Sequence, residues 1–199
     1  MTTPLTINSK LPATGTNIFT EMNTVSMQYD TVNLGQGFPD YPMDERLIHL
    51  VNEAMKKGYN QYAHTNGYLP LREIIAEKIK SLYEAEINPQ SYITVTPGGT
   101  YAIYAAITCC INKGDEVIIF EPAYDSYTPN IEVNGGKVVR VPLQLPGFSI
   151  DFEALKKAIT PKTAMIILNS PHNPSGAVMS ANHMQQLELM FQGSNILVV

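Results

Sequence analysis

Two glycines and a threonine at the end of one predicted strand have the composition of an anion-binding turn. The segment TPGGTYAIY follows the β-branched run ITVT at 93–96 and leads into a predicted helix. Gly98 and Gly99 would allow a sharp turn and a close approach of the backbone to a ligand, and Thr100 adds a hydroxyl donor. Backbone N–H groups at the start of a helix favour an anion such as a phosphate. Glycine pairs also occur in turns without a ligand, so this turn by itself leaves both interpretations open.

Tyr124 lies in a second loop of this kind, EPAYDSY, which follows the apolar run EVIIF at 116–120. An aromatic ring at this place is suited to lie flat against a planar ligand. It is equally suited to pack at the start of the next helix. The sequence does not distinguish a binding role from a packing role here.

A third loop, LNSPHNPSG, follows the run TAMIIL and is rich in amides and prolines. Asn169 and Asn173 offer neutral amide donors, which suit a hydroxyl or phenolate oxygen on a ring. Prolines restrict the backbone, so the two amides would be held in place. We expect cis geometry at Ser170–Pro171 and Asn173–Pro174. His172 is interpreted as a spacer in this loop rather than as an acid or base.

Two stretches nearer the N-terminus add further candidates. LGQGFPDYP at 34–42 contains Gly37, where the backbone could contact a small ligand. NQYAHTNGYLPLR contains Tyr62 in a loop between two predicted helices. From such a loop, Tyr62 could reach a site on its own chain or on a neighbouring one.

The elements that would position these loops alternate between short β-branched runs and helical patterns. Strands are predicted at 93–96, 116–120, 137–141, 163–168 and 195–199, and helices at 18–28, 44–57, 71–83, 99–111, 125–133, 151–158 and 181–191. Near-continuous apolar strands separated by helices indicate an α/β fold, with a mostly parallel sheet covered by helices on both faces. Ligands bind at the carboxyl ends of the strands in such sheets, which is where three of the loops lie.

Composition and charge argue against several classes of protein. The net charge is −5 and the basic residues are not clustered, which argues against a nucleic-acid partner. No run of about 18 apolar residues predicts a membrane span. The N-terminus does not have the pattern of a signal peptide, so we expect a cytoplasmic protein. Cys109 and Cys110 are expected to be buried thiols, with neither a disulfide nor a metal site.

Taken together and in this order along the chain, five motifs resemble the class I PLP-dependent aminotransferases of fold type I: LGQGFPDYP, NQYAHTNGYLPLR, TPGGTYAIYAAI, GDEVIIFEPAYDSY and LNSPHNPSG. Within that family the similarity is to the branch of kynurenine, glutamine and methionine aminotransferases, and it covers residues 33–199. The resemblance implies pyridoxal 5′-phosphate (PLP) as cofactor. It also implies that residues 1–42 form an N-terminal arm and part of a small domain, and residues 43–199 the first part of a large PLP-binding domain.

The resemblance also implies roles for the cofactor-binding residues. Gly98, Gly99 and Thr100 match the turn that holds the PLP phosphate. Tyr124 matches the aromatic residue that stacks on the pyridine ring. Asn173 matches the asparagine that hydrogen-bonds the ring hydroxyl. These implied roles agree with what the residue types allow.

Three further positions are implied to meet the substrate or a second subunit. Gly37 matches the backbone amide that meets the substrate carboxylate, and Asn169 lines the same pocket. Tyr62 matches the tyrosine that reaches the phosphate in the partner subunit, which implies a homodimer with shared active sites.

The family pattern places its Schiff-base lysine, an aspartate for the pyridine nitrogen and two arginines after the region that matches residues 33–199. None of the lysines present lies at a predicted strand end, so we expect no catalytic residue in this chain. The sequence also ends within a predicted strand. We therefore expect the front part of a longer enzyme, inactive by itself.

The function implied for the full-length enzyme is transfer of an amino group from an amino acid to a 2-oxo acid. Aromatic residues at Phe38, Tyr41, Tyr62 and Tyr124 suggest an aromatic, methionine or glutamine-like substrate. Two alternatives remain: a PLP-dependent C–S lyase of the same fold and a non-catalytic binding module. A nucleotide-binding Rossmann domain is disfavoured because the sequence has no GxGxxG turn.

Overall fold

The computed structural model describes residues 8–11, 15–37 and 39–199, which divide into two compact units. One unit comprises Thr16–Gly98. The other comprises Gly99–Val199 together with the described residues before position 16.

The 16–98 unit contains three helices: α1 (Ile18–Tyr29), α2 (Glu45–Lys56) and α3 (Leu69–Tyr83). All three were predicted within a few residues. Asn17 and Asp44 cap α1 and α2 by accepting hydrogen bonds from backbone N–H groups of the first turn, which is the usual way a helix start is satisfied. Gly58, just after α2, has a φ of +86°, as expected for a glycine that ends a helix.

A buried arginine holds the loops of this unit. Arg72 on α3 donates to the backbone carbonyls of Gly67 at 3.1 Å, Pro89 at 2.9 Å and Gln90 at 3.3 Å. Gly67 has a φ of +97°, and a Cβ there would lie 2.7 Å from side-chain atoms of Val95. The chain after Tyr62 and the segment before Gly98 are thus packed closely together.

The 99–199 unit has the predicted alternation of helices and strands. Its elements are α4 (Gly99–Cys110), β1 (Glu116–Glu121), α5 (Tyr127–Val133), β2 (Lys137–Pro142), α6 (Phe152–Ala158), β3 (Thr163–Ile166), α7 (Ala181–Phe191) and β4 (Leu197–Val198). The four strands pair in parallel in the order β2-β1-β3-β4. This confirms the predicted parallel sheet.

The sheet is covered on both faces, and its central strand β1 contributes to each. Val117 and Ile119 pack with Ile107 of α4 and Ile131 of α5 on one face. Ile118 and Phe120 pack on the other face, in a cluster that includes side chains of α6 and α7. A strand buried on both sides must be apolar at successive positions, which explains the unbroken run VIIF.

Two predictions were wrong. Residues 93–96 form no strand: Ile93 is buried, but the backbone N–H of Val95 donates to the carbonyl of Asn66 at 3.0 Å instead of to a sheet. An extended segment becomes a strand only where a neighbour pairs with it, and no described residue does so here. Cys109 and Cys110 are exposed rather than buried, because α4 buries only Ile107.

Within the described ranges, no helix is both long enough and apolar enough to span a bilayer.

Candidate active site

The loops after β1 and β3 lie at one edge of the sheet. The two strands are parallel neighbours, with Val117 paired to Met165 and Ile118 to Ile166. Tyr124 comes three residues after β1, and Asn169 three residues after β3. Because neighbouring parallel strands end at the same edge, the fold brings these two predicted site loops together.

The start of α4 adds Thr100 to this edge. The Thr100 Oγ1 and the Tyr124 hydroxyl oxygen are 3.3 Å apart, within hydrogen-bond distance. Gly99 is the first residue of α4, so its N–H and that of Thr100 have no carbonyl of a preceding turn to bond. Apart from Gly99 itself, its chain neighbours and the backbone of α4, no atom of the described residues lies within 4 Å of the position that a Cβ on Gly99 would take. This combination of open space, backbone donors and a hydroxyl fits an anion such as a phosphate.

Gly98 is the last residue of the 16–98 unit and has a φ of +95°, a conformation that favours glycine. Its N–H donates to the carbonyl of Thr96 at 2.8 Å, and the Thr96 hydroxyl donates to the Gly98 carbonyl at 3.0 Å. A sharp, internally bonded turn therefore precedes Gly99, as the sequence suggested.

The Tyr124 ring is half-buried and packs edge-on against the buried Tyr127, with ring centroids 5.7 Å apart and planes at 79°. Burial, followed by the proximity of Tyr124, raises the pKa of Tyr127. The packing role considered for Tyr124 is therefore present, and the Tyr124 hydroxyl lies beside Thr100.

The loop after β3 holds its two asparagines in different ways. Asn169 Oδ1 accepts a hydrogen bond from the backbone N–H of Asn173 at 2.6 Å. Asn173 is exposed, and its own carboxamide has no hydrogen-bond partner among the described residues. The Ser170–Pro171 and Asn173–Pro174 bonds are both cis, as expected. Asn169 thus fixes the backbone of Asn173, whose amide is free to meet a ligand.

One carboxylate at this edge is paired with an arginine. The Glu121 carboxylate, at the end of β1, forms an ion pair with Arg140 of β2 at 2.8 Å. A carboxylate paired in this way repels a nearby anion less than a free one would.

His172 makes a side-chain contact within its own loop. It is buried, and its Nδ1 lies 2.7 Å from the Ser175 hydroxyl oxygen. Burial lowers the pKa of His172, and the Pro122 carbonyl partly opposes that effect. The only local signal of the contact between His172 and Ser175 was a serine three residues after a histidine in a proline-rich loop.

A cavity beside His172 is lined by residues that include Phe120, Phe148, Met179 and His183, and by none of the predicted site residues. The candidate site is therefore the open edge of the sheet rather than this cavity. In the described ranges, no three His, Cys, Asp or Glu side chains are grouped as metal ligands would be.

The remaining predicted residues belong to the 16–98 unit. Gly37 is exposed, with open space at its Cβ position, and Tyr62 is fully exposed. Tyr41 is exposed as well, and Phe38 lies outside the described residues. The roles assigned to these residues stay predictions.

Several known proteins are similar to this chain in sequence and in fold. A sequence model of the family "Aminotransferase class I and II" matches residues 29–199. Methionine aminotransferase of Escherichia coli (strain K12) is 44% identical over 200 residues, covering 98% of this chain and 51% of the relative. Human kynurenine–oxoglutarate transaminase 1 is 33% identical over 197 residues, covering 92% of this chain and 46% of the relative. This chain thus spans about half the length of these relatives.

Solved structures of aminotransferases have a similar fold. The crystal structure of an E. coli methionine aminotransferase superimposes with a TM-score of 0.92 at 42% identity, covering 98% of this chain and 50% of that one. The N-succinyldiaminopimelate aminotransferase of Mycobacterium tuberculosis gives 0.90 at 37% identity, covering 97% and 51%. These similarities confirm the predicted α/β aminotransferase fold. Together with the family match over most of its length, they show that this chain belongs to the class I and II aminotransferases.

Proposed function

We propose that the full-length protein transfers an amino group from an amino acid to a 2-oxo acid with PLP as cofactor. The observation that carries this proposal is the grouping of Thr100, Tyr124, Asn169 and Asn173 at one edge of the sheet, in a chain of an aminotransferase family. The predicted division into an arm and part of a small domain at 1–42 and a large domain from residue 43 is part of the same proposal.

The donors at this edge fit PLP. The N–H groups of Gly99 and Thr100 and the Thr100 hydroxyl would hold the phosphate, preceded by the turn at Gly98. The half-buried Tyr124 ring would lie against the pyridine ring, and the Asn173 amide would donate to the ring oxygen. When bound, PLP serves as electron sink and carrier of the amino group. The residues of this chain bind and orient it.

For the substrate, we propose an aromatic, methionine or glutamine-like amino acid, with the Gly37 backbone amide meeting its carboxylate. The similarity to proteins named methionine and kynurenine aminotransferases supports this choice. Other relatives are named aspartate and N-succinyldiaminopimelate aminotransferases, so the family accommodates several substrate classes.

We also propose a homodimer in which Tyr62 of one subunit reaches the phosphate bound by the other. The full exposure of Tyr62 within its own unit supports this role, because a tyrosine that contacts a neighbouring chain must be accessible before assembly.

The proposal is tested with the full-length protein, PLP and 2-oxoglutarate, by measuring amino transfer from methionine, kynurenine, glutamine, phenylalanine and aspartate. We expect transfer from at least one of the first four to be faster than from aspartate. Asn173→Ala should weaken PLP binding roughly 10- to 100-fold and shift the absorbance of the bound cofactor, because a hydrogen bond to a charged oxygen contributes about 1.5–3 kcal/mol.

Asn182→Ala is the matched control, because Asn182 is exposed on α7 and bonds with Gln186. It should leave PLP affinity and spectrum unchanged. Cleavage of S-substituted cysteines without amino transfer would instead support the C–S lyase. A full-length protein that binds no PLP would support a non-catalytic module.

A further inference from the structure

Residues 59–68, between α2 and α3, form the Tyr62 loop, and the two ends of this loop pack against each other. The rings of Tyr59 and Tyr68 lie edge-on, with centroids 6.1 Å apart and planes at 66°. Tyr62 itself is fully exposed. The base of the loop is therefore closed, while the Tyr62 side chain is left accessible.

Arg72, on α3, joins the Tyr62 loop to a second stretch of chain at 89–90. Its Nε donates to the carbonyl of Gly67 at 3.1 Å. Its Nη1 donates to the carbonyls of Pro89 at 2.9 Å and Gln90 at 3.3 Å. Because one planar guanidinium group bonds both stretches at once, it sets their positions relative to each other.

The Tyr62 loop also contacts the continuation of that second stretch, at Val95. The N–H of Val95 donates to the carbonyl of Asn66 at 3.0 Å. A Cβ on Gly67 would lie 2.7 Å from side-chain atoms of Val95, so the two backbones approach closely only because residue 67 is a glycine. The loop is thus packed directly against the segment that runs on to the turn at Gly98.

Arg72 is a buried cation, only 4% exposed, and it forms no ion pair with a carboxylate of the described residues. A buried charge is costly unless its hydrogen bonds are made. Here backbone carbonyls from two stretches of chain make them. Moving either stretch away would leave donors of a buried cation unpaired, so these bonds favour a single position of the Tyr62 loop.

We propose that Arg72 is a positioning residue that holds the Tyr62 loop where Tyr62 can reach the phosphate bound by a partner subunit. This inference rests on the proposed function and its homodimer. Arg72 acts through Gly67 and the segment at 89–95 and does not itself touch the cofactor. Its effect is to order the loop before the cofactor binds, which reduces the cost of ordering it on binding.

Three substitutions separate the geometry of this contact from its charge. Arg72→Met keeps an unbranched side chain but removes every donor, so the loop should lose its link to 89–90. Arg72→Lys keeps the charge, but an ammonium group lacks the planar fork that reaches several carbonyls, so it should recover only part of the loss. Gly67→Ala displaces the loop with the arginine unchanged, because the added Cβ meets Val95.

The first measurement is hydrogen–deuterium exchange of the full-length protein without cofactor. In peptides covering 59–68, Arg72→Met should raise the exchange rate about tenfold, the effect of one hydrogen bond to a charged group. Gly67→Ala should raise it as well, and Arg72→Lys should raise it less than Arg72→Met. Peptides covering β1, residues 116–121, should exchange as in wild type, because β1 belongs to the other unit.

The second measurement is the dissociation constant for PLP in a double-mutant cycle with Tyr62→Phe, which removes the hydroxyl proposed to meet the phosphate. Tyr62→Phe should weaken PLP binding roughly tenfold or more, and Arg72→Met by up to the same factor. If Arg72 acts by placing the Tyr62 hydroxyl, the double variant should bind PLP as Tyr62→Phe does. A merely structural role would instead multiply the two single effects.

Arg46→Met is the matched control, the same substitution at an exposed arginine of the same unit. Arg46 lies on α2 and pairs with Asp44 at 2.8 Å, with both side chains at least half exposed. It should leave exchange in 59–68 and PLP affinity unchanged.

Two results would overturn the inference: unchanged exchange in 59–68 for both Arg72→Met and Gly67→Ala, or single effects of Arg72→Met and Tyr62→Phe that multiply in the double variant. Should Arg72→Met fail to fold, Arg72→Lys takes its place in both measurements. A wild-type protein that bound no PLP would overturn the proposed function and with it this inference. The exchange data would then show separately whether Arg72 orders the loop.

Discussion

Tyr124 makes two contacts, one through its hydroxyl and one through its ring. The hydroxyl lies 3.3 Å from Thr100 Oγ1, and the ring packs edge-on against Tyr127. Both contacts are within one unit and need no ligand. The ring is thus oriented in advance, which favours binding because fewer rotamers have to be restricted when a planar cofactor arrives.

At this scale, the hydroxyl and the ring of Tyr124 can be separated. Tyr124→Phe should weaken PLP binding only about 2- to 10-fold, because a neutral hydrogen bond contributes about 0.5–1.5 kcal/mol. Tyr124→Ala should weaken it further, since the ring contact is lost as well. Equilibrium dialysis with PLP measures both, and Tyr101→Phe, an exposed tyrosine on α4, serves as control. Equal affinities for Tyr124→Phe and Tyr124→Ala would show that the ring does not contact the cofactor.

Strand β1 determines where the site loops begin. Ile118 and Ile119 are successive residues that face opposite clusters, and both are fully buried. The strand pairs with β2 on one side and β3 on the other. Its position is therefore fixed in every direction, and the loop carrying Tyr124 starts from a rigid point.

This arrangement predicts that shortening a side chain on either face of β1 lowers the free energy of unfolding by a similar amount. Ile118→Ala and Ile119→Ala should each lower the free energy of unfolding by about 2–5 kcal/mol, because each leaves a cavity in a packed core. Leu145→Ala, at an exposed leucine, should change it by less than about 0.5 kcal/mol. Urea unfolding curves measure all three. A large loss for one isoleucine and none for the other would contradict a sheet covered on both faces.

For the whole molecule, the proposed sharing of sites between subunits has a distinctive consequence. Each site would take Asn173 from one chain and Tyr62 from the other. A mixed dimer of one chain defective at Tyr62 and one chain defective at Asn173 would then have one intact site. If Tyr62 served its own chain, every site in that dimer would be defective.

Mixing Tyr62→Ala and Asn173→Ala full-length proteins, after unfolding and refolding together, should restore about a quarter of wild-type activity. Random pairing gives about half mixed dimers, each with one intact site of two. Each variant refolded alone is the control and should stay near its own low activity. Failure to exceed the mean of the two controls, with mixed dimers demonstrated by mass, would contradict the shared site.

Much of the architecture was predictable because its signals are local. Asp151 caps α6 by accepting from the N–H of Ala154 at 2.9 Å, and an aspartate directly before a helical pattern is a local signal for such a cap. The runs at β1 and β3 indicated a parallel sheet, since strands buried on both faces are apolar throughout. The loops at the strand ends followed from that sheet, and with them the neighbourhood of Tyr124 and Asn169.

By itself, then, the sequence determined the family, the order of the elements and the loops that carry the candidate residues. The tertiary structure alone decided that 93–96 is not paired as a strand, that Cys109 and Cys110 are exposed, and that His172 is buried. The physical reason is common to all three. Strand pairing and burial depend on partners far away along the chain, and the residues on either side of a position do not specify them.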